Sequence, residues 1–324
     1  MIGNVVTLKE KVLAGGMMSK EEALTLIDAP IDALTQAADE IRKAMCGNRF
    51  DMCTIINGKC GKCSEDCKYC SQSAHYHTNC EASYPLLGTK ALMAQAKNND
   101  ARGVLRYSIV TSGKRLSGEE VDQVCESIKA IKAETGIEVC VSFGLLDEAQ
   151  FRKIKAAGAS RVHCNLESSR RFFKEVCTTH TYDEKIETLK AAQRAGLSIC
   201  SGGIMGLGET MEDRIDMVLT ARELGVKSIP VNLLNPIPGT PYEHNRILTN
   251  EELCRIVAIF RFLIPDGSIR LAGGRGLLED KGERCFTSGA NAAISGDMLT
   301  TAGITVETDL QLLSQLGYEV RLEK

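Results

Sequence analysis

Eight short β-branched runs alternate with amphipathic helical stretches along most of this 324-residue chain, and that rhythm narrows the fold more than any other feature. The strand-like runs begin near Asp51, Val104, Ile137, Arg161, Leu197, Ser228, Ser268 and Ala292. Helical patterns over 118–134, 147–157, 182–195, 210–224 and 250–263 separate most of them. Strands that alternate with helices pair in parallel, and eight of them argue for a single α/β barrel of the (β/α)8 TIM type over an open doubly wound sheet. Ahead of the barrel, residues 8–46 read as a helical pair. Ser19 and Glu22 form a capping box before an amphipathic run, and a second helix covers about 31–45. The expected division is a helical extension over 1–46 and the barrel over 47–324.

The strands carry a second pattern. Side chains alternate with period two, so Val139, Val141 and Phe143 share one face while Glu138, Cys140 and Ser142 share the other. Val162, Cys164 and Leu166 oppose Arg161, His163, Asn165 and Glu167; Leu197 and Ile199 oppose Ser198, Cys200 and Gly202. Near the end, Ile269 and Leu271 oppose Ser268, Arg270 and Ala272. The apolar sets must meet the helices, which leaves the polar sets pointing inward. Barrel interiors are ordinarily filled with branched aliphatics, so this one is expected to be a polar cavity with an occupant.

Thirty-nine basic against 42 acidic residues give a net charge of −3, which argues against a nucleic-acid surface. The N-terminal stretch has no secretion-signal layout, and no apolar run reaches membrane-spanning length. A reducing cytoplasm is therefore expected, where clustered thiols among the 14 cysteines mean metal or catalysis more often than disulfides. Cys63, Cys67 and Cys70 form a C-x3-C-x2-C triplet. Three thiolates this close can hold three irons of a cubane cluster and leave the fourth open for chemistry, whereas a fourth cysteine would make an electron carrier. Cys60 could complete a four-cysteine zinc site, which is the structural alternative. The glycine-rich run from Gly202 to Gly208 ends a strand and precedes a helix, but it lacks the phosphate-loop lysine and clean dinucleotide spacing.

The triplet, followed by Ser71-Gln72-Ser73 and preceded by a strand, resembles the radical S-adenosylmethionine enzymes. The segments Cys200–Thr210, Val231–Pro241, Ile269–Arg275 and Ser288–Thr301 resemble the biotin synthases in particular, over a span from about residue 10 to the end. The resemblance implies a 4Fe–4S cluster on Cys63, Cys67 and Cys70 whose open iron binds S-adenosylmethionine, with Tyr69 beside the adenine. One electron then cleaves the sulfonium to a 5′-deoxyadenosyl radical, and sulfur is inserted into dethiobiotin. It further implies that Asn165 and Glu167 hold the ribose, that Asn165 and Asn232 bind the ureido ring, and that Thr300 and Thr301 hold the carboxylate tail. Gly202, Gly203 and Ile204 read as a close backbone approach to the adenosyl group. A flavodoxin- or ferredoxin-type electron donor and a homodimer are also implied. Other barrels of the same branch, such as hydrogenase-maturation or methylornithine-synthase-like enzymes, and an Fe–S carrier protein are the rival readings.

The chain departs from the family at its second cluster. Better-known members hold a 2Fe–2S unit with three cysteines and an arginine. Here the second-strand cysteine is Ser108, while Cys140, Cys200 and Arg270 remain and Cys53 appears on the first strand. We expect an auxiliary cluster on Cys53, Cys140 and Cys200, cubane in type with an extra sulfide, in preference to 2Fe–2S. Arg270 then stands beside the sulfides as a cation. Cys164 is read as packing, Cys60 as a loop residue, and Cys125, Cys177, Cys254 and Cys285 are assigned no role. His180, where the better-known members have arginine, is read as an exposed loop histidine.

Overall fold

The computed structural model describes residues 2–78, 80 and 82–322. Three helices come first: α1 (Ile2–Leu13), α2 (Lys20–Leu24) and α3 (Ile31–Cys46). The strands follow as β1 (Arg49–Lys59), β2 (Arg106–Thr111), β3 (Glu138–Ser142), β4 (Arg161–His163), β5 (Ser198–Cys200) and β6 (Gly203–Met205). The set ends with β7 (Ser228–Leu233), β8 (Ser268–Leu271), β9 (Ala292–Ile294) and β10 (Glu319–Val320). Between them lie α4 (Thr89–Ala101), α5 (Gly118–Glu134), α6 (Glu148–Ala157), α7 (Phe173–Val176), α8 (Tyr182–Arg194), α9 (Met211–Glu223), α10 (Asn250–Leu263), α11 (Glu283–Phe286) and α12 (Val306–Gln315).

All the strand pairings are parallel, and β1 pairs with both β2 and β9, so the sheet closes on itself. The eight positions of the barrel are β1, β2, β3, β4, β5 with β6, β7, β8 and β9. β5 and β6 share one position because the ladder to β7 breaks after Cys200↔Ser228 and resumes at Gly203↔Val231. β10 lies outside the ring, paired with the first residues of β1. Each of the eight expected strands is present, with starts shifted by two residues or fewer.

The period-two reading of the faces holds where the strands are regular. Val139, Val141, Val162, Ile199, Ile269 and Leu271 are buried in the shell under the helices, while Cys140, Ser142, Arg161, His163, Cys200 and Arg270 border the interior cavity. Capping boxes at Ser117, Asp147, Thr181, Thr210 and Thr249 start α5, α6, α8, α9 and α10. They satisfy the first N–H groups of each helix. The N-terminal reading needs correction. The Ser19–Glu22 box is real, but it opens only the five-residue α2, and a separate helix, α1, precedes it. No helix among the described residues is long and apolar enough to cross a membrane.

Candidate active site

A cavity of about 410 Å³ runs from the middle of the barrel to the C-terminal ends of its strands, the end where barrels of this architecture place their chemistry. Its mouth is built by the loop after β1. Lys62, with φ of 49°, turns the chain in the left-handed region, and Cys63 then bridges to Ser73 across the loop, its N–H donating to the Gln72 carbonyl at 2.9 Å. Asp66 anchors the far side. Its carboxylate accepts from the Thr178 and Thr179 backbone N–H groups at 2.8 and 3.1 Å and from the Thr178 and Thr179 hydroxyls and the Cys177 thiol. Burial alone would raise its pKa, but these donors hold it well below the usual carboxylate range. The Lys68 N–H reaches the Val176 carbonyl at 2.9 Å. The loop is thus fixed to the segment after α7 before any metal is considered.

Cys63, Cys67 and Cys70 all line the cavity as free thiols, and the Gly113 N–H already points at Cys63 Sγ from 3.3 Å. Three thiols in one fixed loop, each open to the same space, fit a cluster that keeps an open iron. Opposite them, Glu167 stands with φ of 68°, a conformation uncommon outside glycine. Its backbone is held by Gly202 and Ile204. One carboxylate oxygen accepts from the Tyr69 hydroxyl at 2.9 Å, and the other is buried without a partner. A buried, unpaired carboxylate oxygen is costly, and the hydroxyls of a ribose supply the donors it lacks. The donor set therefore fits adenosylmethionine.

Gly202 and Gly203 have a different reason to be glycine from the one expected. A Cβ at Gly202 would sit 2.0 Å from the Pro230 carbonyl oxygen, and one at Gly203 would sit 2.2 Å from that of Glu167. Their backbones pack between neighbouring strands, and of the three expected contacts only Ile204 lines the cavity. Asn165 accepts from the Gly202 N–H at 3.1 Å and borders the same space. Asn232 donates to the Gly203 carbonyl and accepts from the Gly273 N–H. Each amide is thus oriented by backbone while keeping hydrogen-bonding capacity toward the cavity. Thr300 accepts from Ser71 at 3.0 Å, and Thr301 lies beside it on the rim.

The floor holds the second thiol set. Cys53, Cys140 and Cys200 are 6%, 4% and 5% exposed and face the cavity from β1, β3 and β5. Ser108 is Cα-paired with Cys140. Three arginines converge there on one carboxylate: Arg270 and Arg106 lie 3.0 Å from Asp51 and Arg161 lies 3.5 Å away. Arg270 also donates to the Asp51 and Ala293 carbonyls at 2.8 and 3.0 Å. Its Nη2 contact with Asp51 is ionic without hydrogen-bond alignment. Burial would raise the Asp51 pKa, but the arginines win and bring it to about 2. Burial likewise acts to raise Cys200, yet the His163 hydrogen bond and the Arg270 and Arg161 charges bring it down to about 7. For Cys53 and Cys140 burial prevails and the thiols shift upward. The fit to an anionic cluster is electrostatic: three arginines against one aspartate leave the floor positive.

Two expectations fail here. His180 is buried, not exposed: its Nδ1 lies 2.6 Å from Glu65 and 3.3 Å from the Cys177 sulfur. Burial disfavours its charged form, but the Cys177 and Glu65 contacts outweigh that and its pKa is raised. Cys177, given no role from sequence, stands beside Cys67, and the two share a hydrogen bond that favours ionising Cys177 and opposes ionising Cys67. Glu65 and His180 lie 115 residues apart, so nothing local announced the pair. Cys164 joins the core as expected but also borders the cavity, because regular alternation ends with β4 at His163. Cys60 is not in a free loop but is buried in an antiparallel bridge to Tyr84.

Known proteins share both the fold and the sequence. Residues 59–221 match the radical SAM superfamily, and residues 230–319 match the biotin and thiamin synthesis associated domain. A biotin synthase from Akkermansia muciniphila is 59% identical over 317 residues, covering 98% of each chain. One from Brachyspira hyodysenteriae is 57% identical over 317 residues, covering 98% of this chain and 95% of its own. Among solved structures, methylornithine synthase superposes with a TM-score of 0.84 at 20% identity, covering 97% of both chains. The FeFe-hydrogenase maturase HydG from Carboxydothermus hydrogenoformans gives 0.82 at 17% identity, covering 97% of this chain and 78% of its own. At such identities the structures establish the barrel alone, and the family rests on the full-length relatives. On those relatives, the chain with two thiol sets in one barrel belongs to the biotin synthase family of radical S-adenosylmethionine enzymes.

Proposed function

We propose that this chain converts dethiobiotin to biotin by inserting sulfur between two unactivated carbons, inside a chamber with two iron–sulfur stations. The carrying observation is that one cavity is lined by two separate three-thiol sets, Cys63–Cys67–Cys70 at the mouth and Cys53–Cys140–Cys200 at the floor, and by the Asn165 and Asn232 amides. In this reading the mouth set holds a 4Fe–4S cluster, and Tyr69, Asn165, Glu167 and Ile204 seat adenosylmethionine beside it. Gly202 and Gly203 keep that wall closely packed. Bound there, these groups supply a carbon-centred radical and the inserted sulfur, chemistry that no side chain offers.

The work of the chain itself is placement and exclusion. Asn165 and Asn232 offer donors and acceptors to the cyclic urea of dethiobiotin, and the Thr300 and Thr301 hydroxyls offer donors to its carboxylate. The surrounding barrel keeps water and bulk reductant from the reacting carbons. Cys53, Cys140 and Cys200 hold the auxiliary cluster, cubane in type with an added sulfide in preference to 2Fe–2S. Arg270, committed to Asp51 and Ala293, stands beside it as a cation and not as a ligand. The reading extends to a flavodoxin- or ferredoxin-type electron donor, a homodimer working in the cytoplasm, and a barrel domain over 47–324 preceded by the helical extension over 1–46. A cluster carrier needs no enclosed chamber with an unpaired carboxylate oxygen, which weighs against that rival.

The test uses anaerobically loaded protein, reduced donor, adenosylmethionine and dethiobiotin. Biotin and 5′-deoxyadenosine are the expected products, and Cys140→Ser is expected to keep 5′-deoxyadenosine formation while abolishing biotin. No biotin from the unaltered chain would overturn the function, and Mössbauer spectra with two irons in the auxiliary site would overturn the cubane assignment.

A further inference from the structure

Eight of the 14 cysteines lie outside the two three-thiol sets. Cys254 and Cys285 show the ordinary fate of such thiols, packed in the core with sulfurs 3.6 Å apart. Cys177 is placed differently. Its sulfur, one ring nitrogen of His180 and the Cys67 sulfur all lie within 4.8 Å of one another. His180 Nδ1 stands 3.3 Å from Cys177 Sγ, and Glu65 Oε2 stands 2.6 Å from the same nitrogen. Around a tetrahedral zinc, with bonds of about 2.0 Å to nitrogen and about 2.3 Å to sulfur, neighbouring donors are about 3.5 Å apart. Shifts of about 1 Å or less bring two thiols, an imidazole and a carboxylate to the spacing that one such ion imposes.

The four side chains are held in place by contacts of their own. Cys177 ends α7, its N–H donating to the Phe173 carbonyl at 3.1 Å. The His180 ring lies against the Phe173 ring, with centres 5.7 Å apart, one residue before the Thr181 cap of α8. Glu65 also accepts from the Thr179 hydroxyl at 2.8 Å, and the Cys67 carbonyl accepts from the Cys70 N–H at 3.0 Å. Glu65, Cys177 and His180 are buried. The Cys177 thiol donates to Asp66 at 3.1 Å. It gives up that proton when it binds a metal, and Asp66 keeps its four donors from Thr178 and Thr179.

The donors select the ion. Thiolate and imidazole favour zinc over magnesium or calcium, and such a set holds zinc more tightly than ferrous iron. We propose that the cluster-free chain binds one thiophilic divalent cation of the zinc class on Cys67, Cys177, His180 and Glu65, and that this ion and the triplet cluster exclude each other. A cubane on the triplet takes the Cys67 sulfur for one of its own irons, so each occupant removes a ligand from the other. The exclusion rests on the reading of the triplet as a cluster site; the cation site does not.

The experiment titrates zinc against a chromophoric chelator into the reduced, cluster-free, full-length chain under anaerobic conditions. Cys140→Ser is carried throughout, which breaks the floor set and removes it from competition. One tightly bound zinc is expected, its X-ray absorption showing two sulfurs and two lighter donors. Adding Cys177→Ala or His180→Gln is expected to weaken binding about 100-fold or more, since losing an outer partner alone costs about 10–100-fold. Thermal unfolding is followed as the folding control. Cys63→Ala and Cys70→Ala are expected to bind zinc undiminished. Zinc bound beforehand is expected to block loading of the triplet by iron and sulfide, read from the electron paramagnetic resonance of the reduced protein. Cys177→Ala is expected to load at the same zinc concentration. Three sulfurs around the zinc, or binding lost in Cys63→Ala, would put the ion on the triplet and overturn the site. Unchanged affinity in Cys177→Ala and His180→Gln would overturn it as well. A chain that carries zinc and the triplet cluster together would overturn the exclusion. The X-ray absorption needs neither site variant, so a variant that fails to fold still leaves the site decided. Zinc is read without turnover, so a failure to form biotin and a failure of this site are separate results.

Discussion

Asp51 is a single carboxylate facing three arginines, and the arithmetic of buried charge makes it the residue on which the chamber floor depends. Asp51→Asn leaves Arg106, Arg161 and Arg270 to repel one another in the barrel interior. Breaking a buried pair in this way costs about 3–5 kcal/mol, which urea unfolding of the cluster-free chain should reveal. The pH dependence has a definite sign. The Asp51 pKa is lowered to about 2 in the fold, below the ordinary aspartate value of about 3.9. Its contribution is therefore complete above roughly pH 4 and is lost as pH falls toward 2, a span worth on the order of 2 kcal/mol. A stability that stays flat through that window would show that the arginines are neutralised by something else. At this scale the sequence was readable wherever chemistry was local or alternation was regular: the triplet, the inward thiols and Arg270 are examples. It was unreadable for Asp51 as a hub and for His180 and Cys177, whose partners Glu65, Asp66 and Cys67 arrive from a distant loop.

Helix ends were the most legible elements, because a capping box is a four-residue statement that needs no tertiary context. The boxes at Ser117, Thr181 and Thr249 place helices close to where the pattern put them. The same signal misled at Ser19, since it marks a beginning and says nothing of length; α2 ends after one turn and a bit. Helix C-termini obey longer-range rules, and α10 shows one. The wholly buried Arg261 donates to the carbonyls of Ile264, Pro265, Gly267 and Gly289 and to Asn291 Oδ1. One guanidinium thus ties the end of α10 to the entry of β8 and the loop before β9, and it answers the negative end of the helix dipole. Lysine has three donors and no planar fork, so Arg261→Lys strands buried carbonyls. A loss of about 2–4 kcal/mol is expected, from one or two unsatisfied acceptors at 1–3 kcal/mol each, and thermal unfolding measures it. A change under 1 kcal/mol would mean that the carbonyls find other donors.

The barrel as a whole is closed by the first strand meeting the last, at Asp51↔Ala292 through Cys53↔Ile294. The two thiol sets depend on that closure unequally. Cys63, Cys67 and Cys70 lie within one loop, whereas Cys53, Cys140 and Cys200 come from β1, β3 and β5. Ala293→Pro should loosen the β1–β9 ladder, because residues 291, 293 and 295 are the ones that face β1 and proline cannot donate to it. Iron and sulfide per chain should then fall to what a single cluster holds, with the electron paramagnetic resonance signal of the triplet site retained; equal loss from both sites would contradict this. The eightfold alternation was visible in the sequence because each strand and helix carries its own period. The ladder break between β5 and β6 was not, since it is set by how closely Gly202 approaches Pro230. The anchoring of the triplet loop by Asp66 has a consequence of its own. Five donors from Cys177, Thr178 and Thr179 hold that loop, and none of them is a triplet cysteine, so the bonds that shape the loop are not given up when its thiols take up metal. A chain that loses its cluster to oxygen is therefore expected to keep the loop's anchorage, so that repair means refilling the site, not making another chain.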